Sequence, residues 1–371
     1  MVEWKKLGEV CKVLRGKRLT KSQLNESEGY PVLHGGSTPM GYYEEFNRKA
    51  NTTVVVNTGN AGCVFFYDKE FWSSDACFSL YPNKEIIDKF LYLYVYGCER
   101  ILKGKIRAGA MPTIDAKAVE DLLIPIPSLS EQQRIVSILD TFTSSISNLK
   151  QQIEERRKQY EYERDLLLDL EGKEGVEMKT IQDVCKKICS GGTPSTSHKE
   201  YYEGNIPWLR TQEVDWKEIY DTEIKITEEA IANSSAKLIA ENCVIVAMYG
   251  ATAAKVAINK MPLSTNQACC NLEIDNNIAS FKYVYYWLCK EYQNLKSMGE
   301  GSQNNINGQK VKNYPISIPP LSTQSRIVSI LDTFEQSISN LEEQLAMREK
   351  QYEYYRNQLL TFEGEEERGK T

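Results

Sequence analysis

Histidine is almost missing from this 371-residue sequence: only His34 and His198 are present. A histidine-based catalytic triad or a histidine-rich metal centre therefore has little material to work with. No run of 18 apolar residues occurs, and the opening Met-Val-Glu-Trp-Lys-Lys lacks the apolar core of a signal peptide, so neither membrane spanning nor export is expected. The ten cysteines form no Cys-x-x-Cys pair. Cys185 and Cys189 are spaced like one helical turn and Cys269-Cys270 are adjacent, but no second pair or histidine completes a zinc set. They read as reduced, mostly buried thiols of a cytoplasmic protein. Positive charge is not in excess either. The 45 Lys+Arg against 51 Asp+Glu leave −6, and no bulk field advertises a nucleic-acid partner.

Catalytic signatures are missing as well. An adenine methyltransferase would need an (Asn/Asp)-Pro-Pro-(Tyr/Phe) loop, and the only Pro-Pro, at 319–320, sits in Ile-Pro-Pro-Leu. No Pro-Asp…(Asp/Glu)-x-Lys nuclease cluster has convincing spacing. Gly364 to Thr371 matches the phosphate-loop pattern by letter, but a helical pattern precedes it and three glutamates would repel phosphates, so it reads as a charged tail. With 41% hydrophobic and 26% charged residues the chain is globular, long enough for two or three domains, and reads as a binding protein.

The main signal is an internal repeat. Residues 124–172 align without gaps on 316–364, an offset of 192, with 32 of 49 positions identical. The block Ile135-Val-Ser-Ile-Leu-Asp-Thr-Phe142 recurs unbroken as Ile327–Phe334. Each copy opens on a strand end closed by proline (Ile124–Pro127, Ile316–Pro319), after which Ser130 and Ser322 are the expected N-caps of long helices. Apolar residues then recur in steps of three and four: Ile135, Leu139, Phe142, Ile146, Leu149, Ile153, Tyr160, Leu167, and their counterparts Ile327 to Leu359. The two heptad-like seams are broken at matching places by Arg156 and Arg348, and are expected to pack on each other.

The segments before the helices repeat more weakly. Val2-Glu-Trp-Lys5…Val10-Cys-Lys12 matches Val176-Glu-Met-Lys179…Val184-Cys-Lys186 at an offset of 174, so the second globular segment is 18 residues longer. Short strand patterns (Thr53–Asn57, Cys63–Tyr67, Cys243–Met248) and helical stretches (Lys89–Leu102, Ser280–Leu295) predict mixed domains. The expected fold class is α+β: two globular α/β domains separated by two long antiparallel, coiled-coil-like helices with pseudo-two-fold symmetry. The expected boundaries are 1–127, first domain; 128–174, central helix; 175–319, second domain; and 320–371, C-terminal helix and charged tail.

This organisation resembles the specificity (S) subunit of a type I restriction–modification enzyme over nearly the whole length. The likeness rests on the tandem order domain, helix, domain, helix, and on Ile-Pro-x-Leu-Ser-x-Gln-x-Arg-Ile at 126–135 and 318–327. It also rests on Gly191-Gly-Thr-Pro-Ser195…Tyr201-Tyr-Glu-Gly-Asn-Ile-Pro-Trp208, Gly250-Ala-Thr252…Asn266-Gln267 and Gly301-Ser302-Gln303. The first domain keeps Gly35-Gly-Ser-Thr-Pro39, Asn57-Thr-Gly-Asn60 and Phe71-Trp72 but lacks the Ile-Pro-Trp element. The resemblance implies that each domain is a target-recognition domain for one half of a split double-stranded DNA sequence. It implies that the helices fix the spacer and dock two methyltransferase (M) subunits, which restriction (R) subunits join. S-adenosylmethionine, ATP and Mg are then expected on the partners and no cofactor on this chain. A stand-alone methyltransferase or nuclease, and a coiled-coil adaptor with no DNA role, are the competing readings.

Sorted by segment, the charge agrees with DNA binding. Residues 1–127 carry +2, 128–172 carry −3, 173–319 carry −1 and 320–371 carry −4. Local basic clusters, Lys5 to Lys21 and Arg100 to Arg107, suit phosphate contacts. Loop residues able to reach a base edge or phosphate are Lys12, Arg15, Lys17, Arg18, Gly36, Ser37, Thr38, Thr58, Asn60, Arg107 and Thr113 in the first domain. In the second they are Thr193, Ser195, Arg210, Gln212, Ser302, Gln303 and Asn304. Tyr160, Tyr162, Tyr352, Tyr354 and Tyr355 on the helices are expected to pack or to dock a partner rather than stack on bases.

Overall fold

The computed structural model describes residues 2–36, 38–107, 109, 111–300 and 305–362. They divide into two compact units: one runs to Lys150 and resumes at Glu343, the other is Gln151–Glu342. Among the described residues no helix is long and apolar enough to cross a membrane. No group of three or more His, Cys, Asp or Glu could hold a metal there. Most of the ten cysteines are buried and all are free, and burial pushes the Cys11 thiol up to about 12.

In the first unit the strands are β1 (Glu3–Lys6), β2 (Cys11–Arg15), β3 (Tyr30–Leu33), β4 (Tyr42–Tyr43), β5 (Thr52–Val56), β6 (Val64–Tyr67), β7 (Trp72–Ser73), β8 (Cys77–Pro82) and β9 (Leu123–Ile126). They form a sheet of order β2-β8-β5-β6, a smaller one of order β4-β3-β7, and the pair β1-β9. The run Thr-Thr-Val-Val-Val of β5 is buried throughout, as a β-branched strand flanked on both edges should be. In the second unit the strands are β10 (Glu177–Thr180), β11 (Cys185–Ser190), β12 (Ile206–Leu209), β13 (Lys217–Ile219), β14 (Lys225–Ile226), β15 (Leu238–Ile239), β16 (Val244–Ala247), β17 (Val256–Asn259), β18 (Leu263–Thr265), β19 (Cys269–Ile274) and β20 (Pro315–Ile318). Their orders are β11-β19-β16-β17-β13, β14-β12-β18-β15 and β10-β20. This is the plan of the first unit with β13 and β15 added, both between β12 and β16, which is where the longer second segment carries extra chain.

The repeat reaches down to strand register. Glu3 pairs with Ile126 and Lys6 with Leu123; Glu177 pairs with Ile318 and Thr180 with Pro315, the same frame in both units. Each predicted domain helix is present but interrupted: Asp88–Gly97 gives way to Glu99–Gly104, and Phe281–Lys290 to Tyr292–Ser297. The breaks fall where Cys98 (φ −88°, ψ 5°) and Glu291 (φ −81°, ψ 8°) leave the helical region.

The long helices are Leu129–Leu167, 39 residues, and Leu321–Leu360, 40 residues, roughly 60 Å each at about 1.5 Å per residue. Their starts correct the expected caps. Ser130 lies inside the first turn, and it is Ser128 whose Oγ accepts from the Glu131 amide at 3.3 Å. In the second copy Ser322 is likewise inside the helix, which follows Pro320, the residue at the Ser128 position; there the proline carbonyl accepts from the Gln324 amide at 3.0 Å.

Within each unit the two helices run antiparallel. In the first, Phe142 stacks on Tyr355 with centroids 5.3 Å apart, and Lys150 pairs with Glu349 at 2.9 Å. In the second, Tyr160 meets Phe334 at 6.4 Å and Arg157 pairs with Glu342. The arginines that break the seams are accounted for by these contacts. The Arg348 guanidinium sits 5.6 Å from the Phe142 ring, and its repeat mate Arg156 sits 5.9 Å from Phe334, the repeat mate of Phe142. Each is a cation–π contact, and the long aliphatic stem keeps the seam filled. Of the five helix tyrosines, Tyr160 and Tyr352 pack in the units' cores, Tyr355 stacks on Phe142, and Tyr162 and Tyr354 are exposed.

A buried glutamine ties each helix to its domain. The Gln132 side chain accepts from the Ile87 amide at 2.8 Å and donates to the carbonyls of Glu85 (2.8 Å) and Pro127 (3.0 Å). Gln324 repeats the pattern with Ser280, Ile278 and Pro319. Both are fully buried. Replacing Gln324 with leucine strands one amide and two carbonyls away from water, and the second unit is expected to lose about 2–4 kcal/mol. Thermal denaturation of the variant measures this, and an unchanged midpoint would refute the tie. One core difference breaks the repeat. Glu335 accepts from Tyr286 at 2.9 Å and Tyr160 at 3.3 Å, and burial raises its carboxyl above the usual range. Thr143 holds that place in the first unit and bonds its own helix.

Candidate nucleic-acid interface

In each unit the loops that leave the strands are drawn together by the same set of hydrogen bonds. In the first, the Gly16 amide donates to the Cys77 carbonyl at 3.0 Å and Lys17 to Ser73 at 2.8 Å. Ser74 donates to Leu33 at 3.0 Å, Asn57 to Ala76 at 2.9 Å, and Ile114 to Asn57 at 2.9 Å. In the second, Gly191 donates to Cys269, Gly192 to Thr265, Asn266 to Leu209, Met248 to Ala268 and Ile306 to Met248, at 2.8–3.3 Å. Five segments thus converge at one end of each unit.

Glycine is required where the chain enters this end. A Cβ on Gly16 would stand 2.1 Å from the Ser74 carbonyl oxygen, and one on Gly191 would stand 2.1 Å from that of Thr265. An indole then locks the loop. Trp72 Nε1 donates to the Lys17 carbonyl at 2.7 Å, and Trp208 Nε1 to the Gly192 carbonyl at 3.0 Å. The two tryptophans come from different strands of the same parallel pair: Trp72 from β7 facing Val32 of β3, and Trp208 from β12 facing Ser264 of β18. The first domain lacks Ile-Pro-Trp because its indole stands on the neighbouring strand.

Most first-domain candidates collect here. Arg15 ends β2 and its Nε donates to the Asp75 carbonyl at 2.9 Å. Lys17 and Arg18 are exposed on the following loop. Gly36 and Thr38 lie on the loop whose His34 Nδ1 shares a 2.9 Å hydrogen bond with Ser74 Oγ. Thr58 donates to Asn57 Oδ1 at 2.9 Å, bridges to Thr113, and adjoins exposed Asn60. Arg107 pairs with Thr113 through the backbone and with the Asp115 carboxylate through its guanidinium. Arg15, Thr58 and Thr113 line one cavity of about 380 Å³ with Asn57 and Asp115. Lys12 is the outlier, on the strand face opposite Arg15 and beside Glu9 and Tyr81. Ser37 lies outside the described residues.

The second unit gathers a different set. Thr193 donates to Gln267 Oε1, and Ser195 shares a 2.7 Å hydrogen bond with Ser197. Arg210 is not free: it pairs with Glu223 and lies 3.7 Å from Glu213. Gln212, with its amide oxygen turned to that guanidinium, accepts from both terminal nitrogens at 2.9 and 3.1 Å. Lys310 bonds Glu300 and holds its carboxyl below the usual range. Tyr249 and Trp216 are exposed aromatics on this unit. Ser302, Gln303 and Asn304 lie outside the described residues, as does the Gly364–Thr371 tail. Asp75 and Gly16 escaped the sequence reading. Ala76-Cys77 and Ala268-Cys269 stand at the offset of the helix repeat and mark the shared loop base that contains them.

Comparison with known proteins agrees with this architecture. Residues 1–156 and 173–347 match the family model described as type I restriction modification DNA specificity domain. The chain is 32% identical over 387 residues to the Escherichia coli type I restriction enzyme EcoR124I/EcoR124II specificity subunit, covering 97% of this chain and 94% of the relative. It is 29% identical to a putative type I restriction enzyme specificity subunit of Haemophilus influenzae, covering 97% and 96%. A crystal structure of the S subunit of a type I restriction-modification system from M. genitalium superposes with a TM-score of 0.68 at 16% identity, covering 97% of each chain. A chain from a structure concerned with complex assembly and conformational transition of the type I R-M system gives 0.62 at 20%, covering 97% of this chain and 96% of that one. At those identities the structural likeness is one of fold.

Proposed function

Since the chain belongs to the type I restriction modification DNA specificity family, we propose that it is the non-catalytic subunit that selects the DNA target of such an enzyme. In this reading residues 1–127 and 175–319 are two recognition domains, each reading one half of a bipartite sequence with the loops gathered at one end. The long helices, 128–174 and 320–371 with the tail, set the spacer and receive two methyltransferase subunits, with restriction subunits joining to cut. S-adenosylmethionine, ATP and Mg act on those partners, in the cytoplasm. The observation that carries the reading is the duplicated loop cluster, built by the same five backbone bonds in both units and lined by unlike side chains. One scaffold presented twice with different contacts suits two different half-sites.

The loop residues divide by role. Lys17 and Arg18, exposed and long, suit phosphate contacts; Arg15, Thr58, Asn60, Thr113, Thr193 and Gln212 have the donor and acceptor chemistry for base edges. Co-expressed with methyltransferase subunits, the chain is expected to confer sequence-specific DNA binding. For six or more phosphate contacts that affinity falls about a thousandfold or more between 50 and 200 mM salt. Fluorescence anisotropy with a duplex carrying the methylated motif, over a salt series, tests this. Absence of binding, or binding indifferent to salt, would overturn it.

A further inference from the structure

Resting on that reading, we propose that Arg15 reads a guanine in the half-site served by the first unit, as a preorganised bidentate donor in the major groove.

The arginines and lysines of the two loop clusters are held in different ways. Arg107 is paired with Asp115, and Arg210 with Glu223, Glu213 and Gln212, so the charge of each is already met by a carboxylate within the fold. Lys17 and Arg18 sit exposed on a loop, and among the described residues no side-chain hydrogen bond or ion pair fixes the direction of their charge. Arg15 combines anchoring with freedom. Its Nε is spent on the Asp75 carbonyl at 2.9 Å, and its own carbonyl accepts from Arg48 Nη2 at 2.9 Å. Arg48 is in turn fixed by Ser79 Oγ at 2.9 Å. Among the described residues no carboxylate pairs with Arg15 and no hydrogen bond engages its terminal nitrogens Nη1 and Nη2; its guanidinium is held through Nε alone. The residue is exposed and lines the 380 Å³ cavity together with Asn57, Thr58, Thr113 and Asp115.

A planar fork held through Nε, with both terminal nitrogens open, matches guanine O6 and N7, the acceptor pair that distinguishes this base in the major groove. Pinning the third nitrogen removes the rotamer entropy that a free arginine would lose on docking. Adenine presents a donor in place of O6, and a guanidinium has no acceptor to meet it. In the second unit the same register position is Ser190, opposite Cys270 as Arg15 is opposite Phe78. The Arg15 contact therefore has no counterpart at that register position of the second unit.

The test uses the chain co-expressed with its methyltransferase subunits, with the methylated motif read by sequencing of host DNA. Arg15→Ala and Arg15→Lys are both expected to relax one guanine position in one half-site, with discrimination there falling about ten- to a hundredfold and the other half unchanged. On unmodified protein, 7-deazaguanine at that position removes the N7 acceptor and should weaken binding by a similar factor. Melting temperatures of the variants separate misreading from misfolding, and the analogue arm does not depend on the variants. Two results would overturn the assignment: an unchanged motif in both variants, or uniform weakening at every position with a shallower salt slope, which marks a phosphate contact. A wild-type complex with no sequence preference would instead remove the functional reading beneath it.

Discussion

Inserting one heptad after Lys150 in the first long helix and another after Glu342 in the second is expected to lengthen the spacer of the methylated target by two to three base pairs. Both half-sites should stay as they are. The insertion points are where the two compact units divide. Each unit keeps its own contacts: Phe142 with Tyr355 and Arg348 on one side, Tyr160 with Phe334 and Arg156 on the other. Seven residues add about 10 Å of helix and shift the phase of the seam by only about 20°, whereas four would turn the units' segments about 40° out of register. Ten ångströms correspond to about three base pairs at roughly 3.4 Å each. Insertion into one helix alone slides one seam past the other and should abolish recognition rather than lengthen the spacer. Sequencing of methylated host DNA reads the outcome directly, and an unchanged spacer in the double insertion would sink the helices' role in setting it.

Gly191→Ala is expected to cost the second unit more than 3 kcal/mol and to erase its half-site. The added Cβ would meet the Thr265 carbonyl at 2.1 Å, Thr265 Oγ1 at 2.2 Å and the Asn266 carbonyl at 2.4 Å. Two of these are backbone atoms, which cannot rotate aside, so β11 must part from the loop after β18. That opening breaks the bond from Gly192 to Thr265 and withdraws the carbonyl that receives Trp208 Nε1. Gly16→Ala should do the same to the first unit through Ser73 and Ser74. Gly97→Ala is the control: nothing lies within 4 Å of the added carbon, and the substitution at the end of a helix should be neutral or slightly stabilising. Thermal melting together with the methylated motif measures both effects. A Gly191→Ala protein with unaltered melting and an unaltered target would show that the loop base tolerates separation.

The long helices were legible because their determinants are local. A seam repeating every three to four residues, free of proline and glycine, reads as helix whatever surrounds it, and 32 identities in 49 mark the duplication. The strand ends before each helix were legible for the same reason. The caps were misplaced because Ser128 and Ser130 differ only in where the backbone turns, which Pro127 and the β9 pairing decide.

Sequence alone determined that this chain is a duplicated, helix-linked protein, and it named polar loop residues as candidates for contact. Only the tertiary structure decided which of them are available. Arg15 and Arg210 are alike on paper. One is anchored by a carbonyl sixty residues away and left open, and the other is consumed by carboxylates thirteen and three residues on. The swap of Trp72 for Trp208 across a parallel strand pair is equally invisible to alignment, since the geometry conserves a bond and not a position. Helical periodicity is written in neighbouring residues, whereas hydrogen bonds between distant loops depend on how the sheets bring them together.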